Sequence, residues 1–245
     1  MADVKLRERW YSARVESDVT VVRWGHYGRP VIVFPTAGGD AEEVERMWLV
    51  DAVGDLLESG TVKLYSCDSI AGAAMLRGDG SPRYRAALLN RFHEFVRHEM
   101  IPAIQADCRS DDIEVITSGA SIGAYNAVAT LCRYPDVVRN AIGMSGTYDI
   151  ARFAGHGGGE ALYFATPLYF LPGLEGPHLQ HLQRRFAILA TGEGRWENAG
   201  ESWAMANVLG SKGIPNRVDP WGPDYDHDWT TWRRMLPQYL RELAG

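Results

Sequence analysis

Two kinds of apolar run alternate along the chain. Short β-branched or wholly apolar runs at 19–24 (VTVVRW), 30–34 (PVIVF), 62–67, 113–117 (IEVIT), 138–145, 186–191 (FAILAT) and 216–221 have the length and composition of buried strands. Between them lie stretches with apolar residues at helical spacing. The stretch 41–58 carries Val44, Met47, Val53, Leu56 and Leu57, and Gly60 closes it. The stretch 83–108 carries Leu88, Leu89, Phe92, Phe95, Val96, Met100, Ile101 and Ile104. Further helices are expected from 124, over 202–209 and over 229–243. The turn at 25–29 predicts an antiparallel hairpin of 19–24 with 30–34 at a sheet edge, and Asp68 to Pro82, with Gly72, Gly78 and Gly80, predicts a loop. Strand and helix alternating over the whole length predict an α/β fold with a mostly parallel central sheet and helices on both faces.

One segment breaks the pattern. Residues 151–183 contain Gly155, Gly157, Gly158 and Gly159, then an aromatic and proline-rich run from Tyr163 to Pro172, with no clean period. It is expected to be a short cap-like or pocket-wall excursion, or a packed excursion at one sheet edge, within a single domain spanning 1–245. The length of 245 residues and a hydrophobic content of 46% suit one such domain. A net charge of −6, with Lys and Arg scattered, argues against a nucleic-acid partner. No run approaches the roughly 20 apolar residues a membrane span needs. The charged N-terminus lacks the apolar core of a signal peptide. Cys67, Cys108 and Cys132 are scattered, odd in number and free of a C-x-x-C motif, so buried thiols in a reducing cytoplasm are expected.

Candidate chemistry concentrates at 113–127, IEVITSGASIGAYNA, where a strand-like run meets Gly119-Ala120-Ser121-Ile122-Gly123 and then a helix. Strand, tight glycine-flanked turn and helix with Ser at the apex is the context of a nucleophile elbow. The alternative is a glycine-rich turn whose Ser merely caps the helix. A Ser nucleophile needs a base, and in elbow enzymes the chain order is Ser, acid, His. His178, His181 and His227 lie well past Ser121, and His227 alone sits in a loop directly after the last strand. For the acid, Glu197 has enough chain to reach that loop, with Glu193 and Asp149 as alternatives, while surface solvation accounts for Asp226 and Asp228. Oxyanion donors are expected from the backbone N–H of Ile122 and, in Pro35-Thr36-Ala37-Gly38-Gly39-Asp40, of Ala37 or else Gly38. His93 and His98 are five apart, not the four of a zinc-binding helix, and His178 with His181 has no third ligand at suggestive spacing, so neither a metal nor a cofactor is expected.

The loop VIVFPTAGGD, GASIGAYNA, the strand end Ser145-Gly146-Thr147-Tyr148-Asp149 and the ending Asp226-His227-Asp228-Trp229 with Trp232-Arg233 together resemble the α/β-hydrolase-fold serine esterases that include esterase D, feruloyl esterases and the mycolyltransferases. The resemblance runs from about residue 19 to 243. It implies His227 as triad base and, by similarity to the mycolyltransferases, Glu197 as acid. The His-Gly and His-Gly-Gly-Gly oxyanion signatures of many esterases are absent. The resulting expectation is cleavage of a small-molecule carboxylic ester through an acyl-Ser121 intermediate, with transfer of the acyl group to an alcohol or amine as the alternative. A catalytically idle binding module is a third reading, but an idle relative would be expected to have lost Ser121 or His227.

Overall fold

The computed structural model describes residues 5–244. Eight strands, β1 (Lys5–Ser12), β2 (Ser17–Trp24), β3 (Arg29–Phe34), β4 (Val62–Cys67), β5 (Val115–Ala120), β6 (Val138–Met144), β7 (Phe186–Thr191) and β8 (Asn216–Pro220), form one sheet in the order β1-β2-β4-β3-β5-β6-β7-β8. The β1–β2 and β2–β4 pairings are antiparallel, and every pairing from β4 across to β8 is parallel.

The expected hairpin of 19–24 with 30–34 does not form, because β4 lies between the two runs. Val21 of β2 stands opposite Cys67 and Val31 of β3 stands opposite Leu64. The connecting turn passes close under the entry to β4: Gly28 has φ 109°, and a Cβ there would lie 2.5 Å from the carbonyl oxygen of Gly60. The edge strand β1 is not announced by the hydrophobic pattern, since Leu6, Arg7, Glu8 and Arg9 are all exposed.

The helices are α1 (Glu43–Arg46), α2 (Leu49–Ala52), α3 (Gly54–Glu58), α4 (Ile70–Arg77), α5 (Pro82–Phe95), α6 (Ile101–Cys108), α7 (Ile122–Arg133), α8 (Ala151–Ala154), α9 (Gly159–Ala165), α10 (Pro167–Phe170), α11 (Gly176–Leu182), α12 (Ala199–Ser211) and α13 (Trp229–Ala244). The stretch 41–58 is thus three short helices, broken where Trp48 takes a left-handed φ of 63°. The expected loop 68–82 contains α4. A π turn, Val96–Met100, joins α5 to α6; Pro102 has no N–H to return to the carbonyl of His98, and widening the turn absorbs that loss.

Alternation along β3 divides the interior into two layers. Ile32 and Phe34 pack with residues of α4, α5, α6, α7 and α12, while Val31 and Val33 pack with residues of α1, α2, α3 and α13. The segment 151–182 lies on the first side. Leu162, Ala165, Leu171 and Leu182 join that layer. Tyr125 Oη donates to the Ala165 carbonyl (2.6 Å) and Asn90 Nδ2 to that of Ala161 (2.7 Å). Since all strands from β4 onward run the same way, the loops after β3, β5, β6, β7 and β8 gather at one edge of the sheet.

Candidate active site

The six residues of β5 are all buried, and the strand delivers Ser121 to this edge at a sharp turn with φ 56° and ψ −120°. A non-glycine residue held in such a conformation costs about 1–3 kcal/mol and persists only where its surroundings enforce it. Here they do. A Cβ at Gly119 would lie 2.4 Å from the carbonyl carbon of Gly123, and one at Gly123 would lie 2.4 Å from the carbonyl oxygen of Phe34. The two glycines let the first turn of α7 fold back over β5 and press against the end of β3. Ser121 N–H donates to the Met144 carbonyl (3.0 Å), which ties the turn to β6. The residue remains part-exposed.

The pressed contact brings Ile122 beside the loop after β3. That loop is built around Glu43, whose carboxylate accepts from Thr36 N–H (2.7 Å) and Thr36 Oγ1 (2.7 Å). Helix α4 packs on its other side, where a Cβ at Gly72 would lie 2.8 Å from the Ala37 carbonyl oxygen. Among the described residues, neither the Ile122 nor the Ala37 N–H has a protein acceptor. Ile122 N–H also stands at the N-terminus of a helix, where the dipole favours negative charge.

Of the three carboxylates considered, Glu197 is the one brought to His227. Its Oε2 lies 3.7 Å from His227 Nδ1, with the Glu197 side chain 2% and the His227 side chain 23% exposed. This is ion-pair range rather than a formed hydrogen bond, and catalytic hydrogen bonds are often long before substrate binds. Glu193 is exposed. Asp149 accepts from Tyr169 Oη (2.9 Å) and the Ala151 N–H (3.3 Å). His227 N–H donates to the Arg195 carbonyl (3.0 Å), and its ring meets the Trp232 indole edge-on at 5.2 Å. Among the described residues, no hydrogen bond joins Ser121 Oγ to the His227 ring. The two are linked through intervening groups: Ser121 bonds to Met144, and the next residue, Ser145, donates through Oγ to Glu197 Oε1.

Asp226 and Asp228 do more than meet solvent, which corrects the sequence expectation. The Asp226 carboxylate accepts from Arg195 N–H (2.7 Å) and Nε (2.8 Å), and these Arg195 contacts hold its pKa below the usual range. Gly194 N–H donates to the Tyr225 carbonyl (3.0 Å), so the loops after β7 and β8 are laced together. A Cβ at Gly192 would lie 2.0 Å from that same carbonyl oxygen. The alternating glycines of Gly192-Glu193-Gly194 are the sequence signal for this approach. Asp228 Oδ1 accepts from Thr231 N–H (2.9 Å) and caps α13. Ser145 and Trp232 belong to the resembling motifs, and nothing in their spacing announces that Ser145 contacts Glu197 and Trp232 contacts Ser145.

His93 is buried on α5, with Nε2 3.1 Å from Asn126 Oδ1, whereas His98 is half-exposed and pairs with Glu94 Oε2 at 3.2 Å. His178 Nε2 lies 2.8 Å from the Cys132 carbonyl oxygen. Among the described residues, no group of three or more His, Cys, Asp or Glu side chains is placed to hold a metal ion.

The sheet order and the elbow between β5 and α7 define the α/β-hydrolase fold. The family model described as Putative esterase matches residues 77–241, and the chain belongs to this family of carboxylic ester hydrolases. Solved structures of the same fold include a ferulic acid esterase (TM-score 0.76, 15% identity, 98% of this chain and 97% of that one). An S-formylglutathione hydrolase from Agrobacterium tumefaciens matches with TM-score 0.72 and 12% identity over 98% of this chain and 95% of that one. Mycobacterium tuberculosis MPT51 matches with TM-score 0.69 and 16% identity over 97% of this chain and 98% of that one. At these identities the likeness is one of fold. The comparison with curated proteins gives no match.

Proposed function

We propose that the chain hydrolyses a small-molecule carboxylic ester with Ser121 as nucleophile, His227 as general base and Glu197 as the acid that orients it. The observation that carries this reading is the Glu197–His227 pair at 3.7 Å, at the sheet edge where β5 presents Ser121 in a strained turn. Ser121 Oγ attacks the ester carbonyl carbon and passes its proton to His227 Nε2. Glu197 stabilises the imidazolium through Nδ1. The negative charge on the carbonyl oxygen falls to the Ile122 and Ala37 N–H groups. Collapse of the tetrahedral intermediate expels the alcohol, which takes the proton from His227. Water, activated by the same base, then attacks the acyl-Ser121 and regenerates the free hydroxyl. The partial exposure of Ser121 supports water as acceptor. Three free cysteines, with Cys67 and Cys132 buried, suit a cytoplasmic setting. Among the described residues, no helix is long and apolar enough to cross a membrane.

The test is p-nitrophenyl ester turnover. Ser121→Ala and His227→Ala should each lower kcat by at least about a thousandfold with the fold intact. Glu197→Gln should be crippled while Glu193→Gln stays close to wild type. Retained turnover in Ser121→Ala sinks the mechanism, and damage confined to Glu193→Gln reassigns the acid.

A further inference from the structure

We propose that Trp232 and Ser145 form a directional hydrogen-bond relay that fixes the Glu197 carboxylate against His227, which makes Ser145 a positioning residue of the ester-hydrolysing site. The inference rests on the triad reading above.

The direction of the relay follows from donor chemistry. An indole N–H can only donate. Trp232 Nε1 lies 2.9 Å from Ser145 Oγ, so Ser145 is the acceptor there. A hydroxyl has one proton, and with the indole occupying a lone pair, that proton goes to the other neighbour, Glu197 Oε1. One carboxylate oxygen is thereby held as an acceptor from β6, and the rotation of the group about its last bond is fixed. The second oxygen, Oε2, is left facing His227 Nδ1. The other hydroxyl near Oε2, Thr191 Oγ1 at 3.4 Å, has a nearer acceptor in the Gly192 carbonyl at 2.9 Å. It does not replace the relay.

Two further observations point the same way. Ser145 and Trp232 are 3% and 4% exposed, so bulk water does not compete for these hydrogen bonds. Ser145 also holds φ 49°, a left-handed conformation in which glycine carries no steric cost. A serine there carries a backbone cost that glycine would not. The same Trp232 that begins the relay meets the His227 ring edge-on at 5.2 Å, so one buried indole touches the base directly and the acid through one hydroxyl. The acid on the loop after β7 is therefore aimed by a residue on the loop after β6 and a residue on α13.

The conformation of Ser145 supplies the decisive variant. Ser145→Gly removes the hydroxyl but suits the backbone. Its melting temperature should move little, since the relief of the left-handed backbone offsets part of the lost hydrogen bonding; its kcat on a short-chain p-nitrophenyl ester should fall about ten- to a hundredfold, and its KM should change little. Labelling of Ser121 by a fluorophosphonate should slow in step with kcat. Trp232→Phe keeps the ring and loses the N–H, so it should show a smaller fall. Adding it to Ser145→Gly should cost less in kcat than Trp232→Phe costs alone, because the indole N–H acts through the hydroxyl. Wild-type kcat in Ser145→Gly, alongside inactive Ser121→Ala and Glu197→Gln, overturns the relay and leaves the triad standing. An active Ser121→Ala instead overturns the triad itself. Should Ser145→Gly fold poorly, Ser145→Ala carries the same readouts, and melting temperatures that collapse in both variants together with activity assign Ser145 to the fold and also overturn the proposal.

Discussion

The geometry at Ser121 is set by a five-residue turn packed against the ends of β3 and β6, whereas Glu197 and His227 are set by contacts among β6, the loop after β7, the loop after β8 and α13. At the elbow the restraints are backbone against backbone: Gly119 against Gly123, and Gly123 against the Phe34 carbonyl. At Glu197 and His227 the close approach of Gly192 to the Tyr225 carbonyl is joined by side chains crossing between segments, with Ser145 to Glu197, Trp232 to Ser145, and Asp226 to Arg195. The first kind of restraint tolerates no added atom. The side-chain contacts can be loosened one at a time.

Among changes that leave Ser121, His227 and Glu197 in place, the largest effect should come from a small addition at the elbow. Gly123→Ala places a methyl group 2.4 Å from the Phe34 carbonyl oxygen, an approach only a backbone shift can relieve. Overpacking of this kind costs about 1–3 kcal/mol of stability. The shift also moves the Ile122 N–H away from the loop carrying Ala37, and in the proposed mechanism loss of one oxyanion donor costs about a hundred- to a thousandfold in kcat. Denaturant melts and ester turnover on the same variant should both fall. Wild-type turnover would mean that the close approach of α7 to β3 does not matter to the chemistry.

This contrast also explains what was legible in the sequence. A backbone requirement confined to a few residues writes itself as Gly-x-Ser-x-Gly between a strand and a helix, so the elbow could be read directly. So could the parallel half of the sheet, whose runs at 113–117, 138–145 and 186–191 are apolar because both faces are covered. The antiparallel edge could not. The charged exteriors of β1 conceal a strand, and nothing local to 19–34 indicates that β4 will lie between β2 and β3. Helix α4 was concealed by Gly72, which is small because it lies against the Ala37 carbonyl rather than because the chain turns there. The same holds in the site. His227 was marked by its place after the last strand, but the pairing of Asp226 with Arg195, and of Ser145 with Glu197, joins residues distant in sequence and leaves no periodic trace.

The elbow side carries a second vulnerability. His93, on α5, packs beside Asn126 of the elbow helix. Burial, reinforced by the Arg133 guanidinium, pushes its pKa from 6.5 down to about 3. Between those values the unfolded chain binds a proton at this residue and the folded chain does not. Stability therefore rises with pH across this window and is lost as pH falls below about 6.5, by up to about 1.4 kcal/mol per pH unit from this group. Denaturant melts from pH 7 to pH 4 should show a flatter slope in His93→Gln than in the wild type. Equal slopes would mean that the buried ring is not what makes the support of α7 acid-sensitive.

The smallest effect on stability should come from the stitch between the acid and His loops. The Asp226 side chain is 22% exposed and that of Arg195 76%. An ion pair with its guanidinium this open to solvent contributes little to stability, so Asp226→Ala should barely change the melting temperature. Its effect on kcat should be larger, about tenfold or more. The pair does not hold the fold together, but it sets where the Arg195 carbonyl, and with it the His227 N–H, sits relative to Glu197, and displacements of about 1 Å at such a site are costly. Salt separates the two roles. Exposed charges are largely screened at about 1 M ionic strength, so wild-type kcat should fall toward that of Asp226→Ala as salt is raised, while the variant stays flat. A variant that loses stability and activity together would show that the two loops depend on this pair for folding, and the distinction drawn between the elbow and the loops would then fail at this contact.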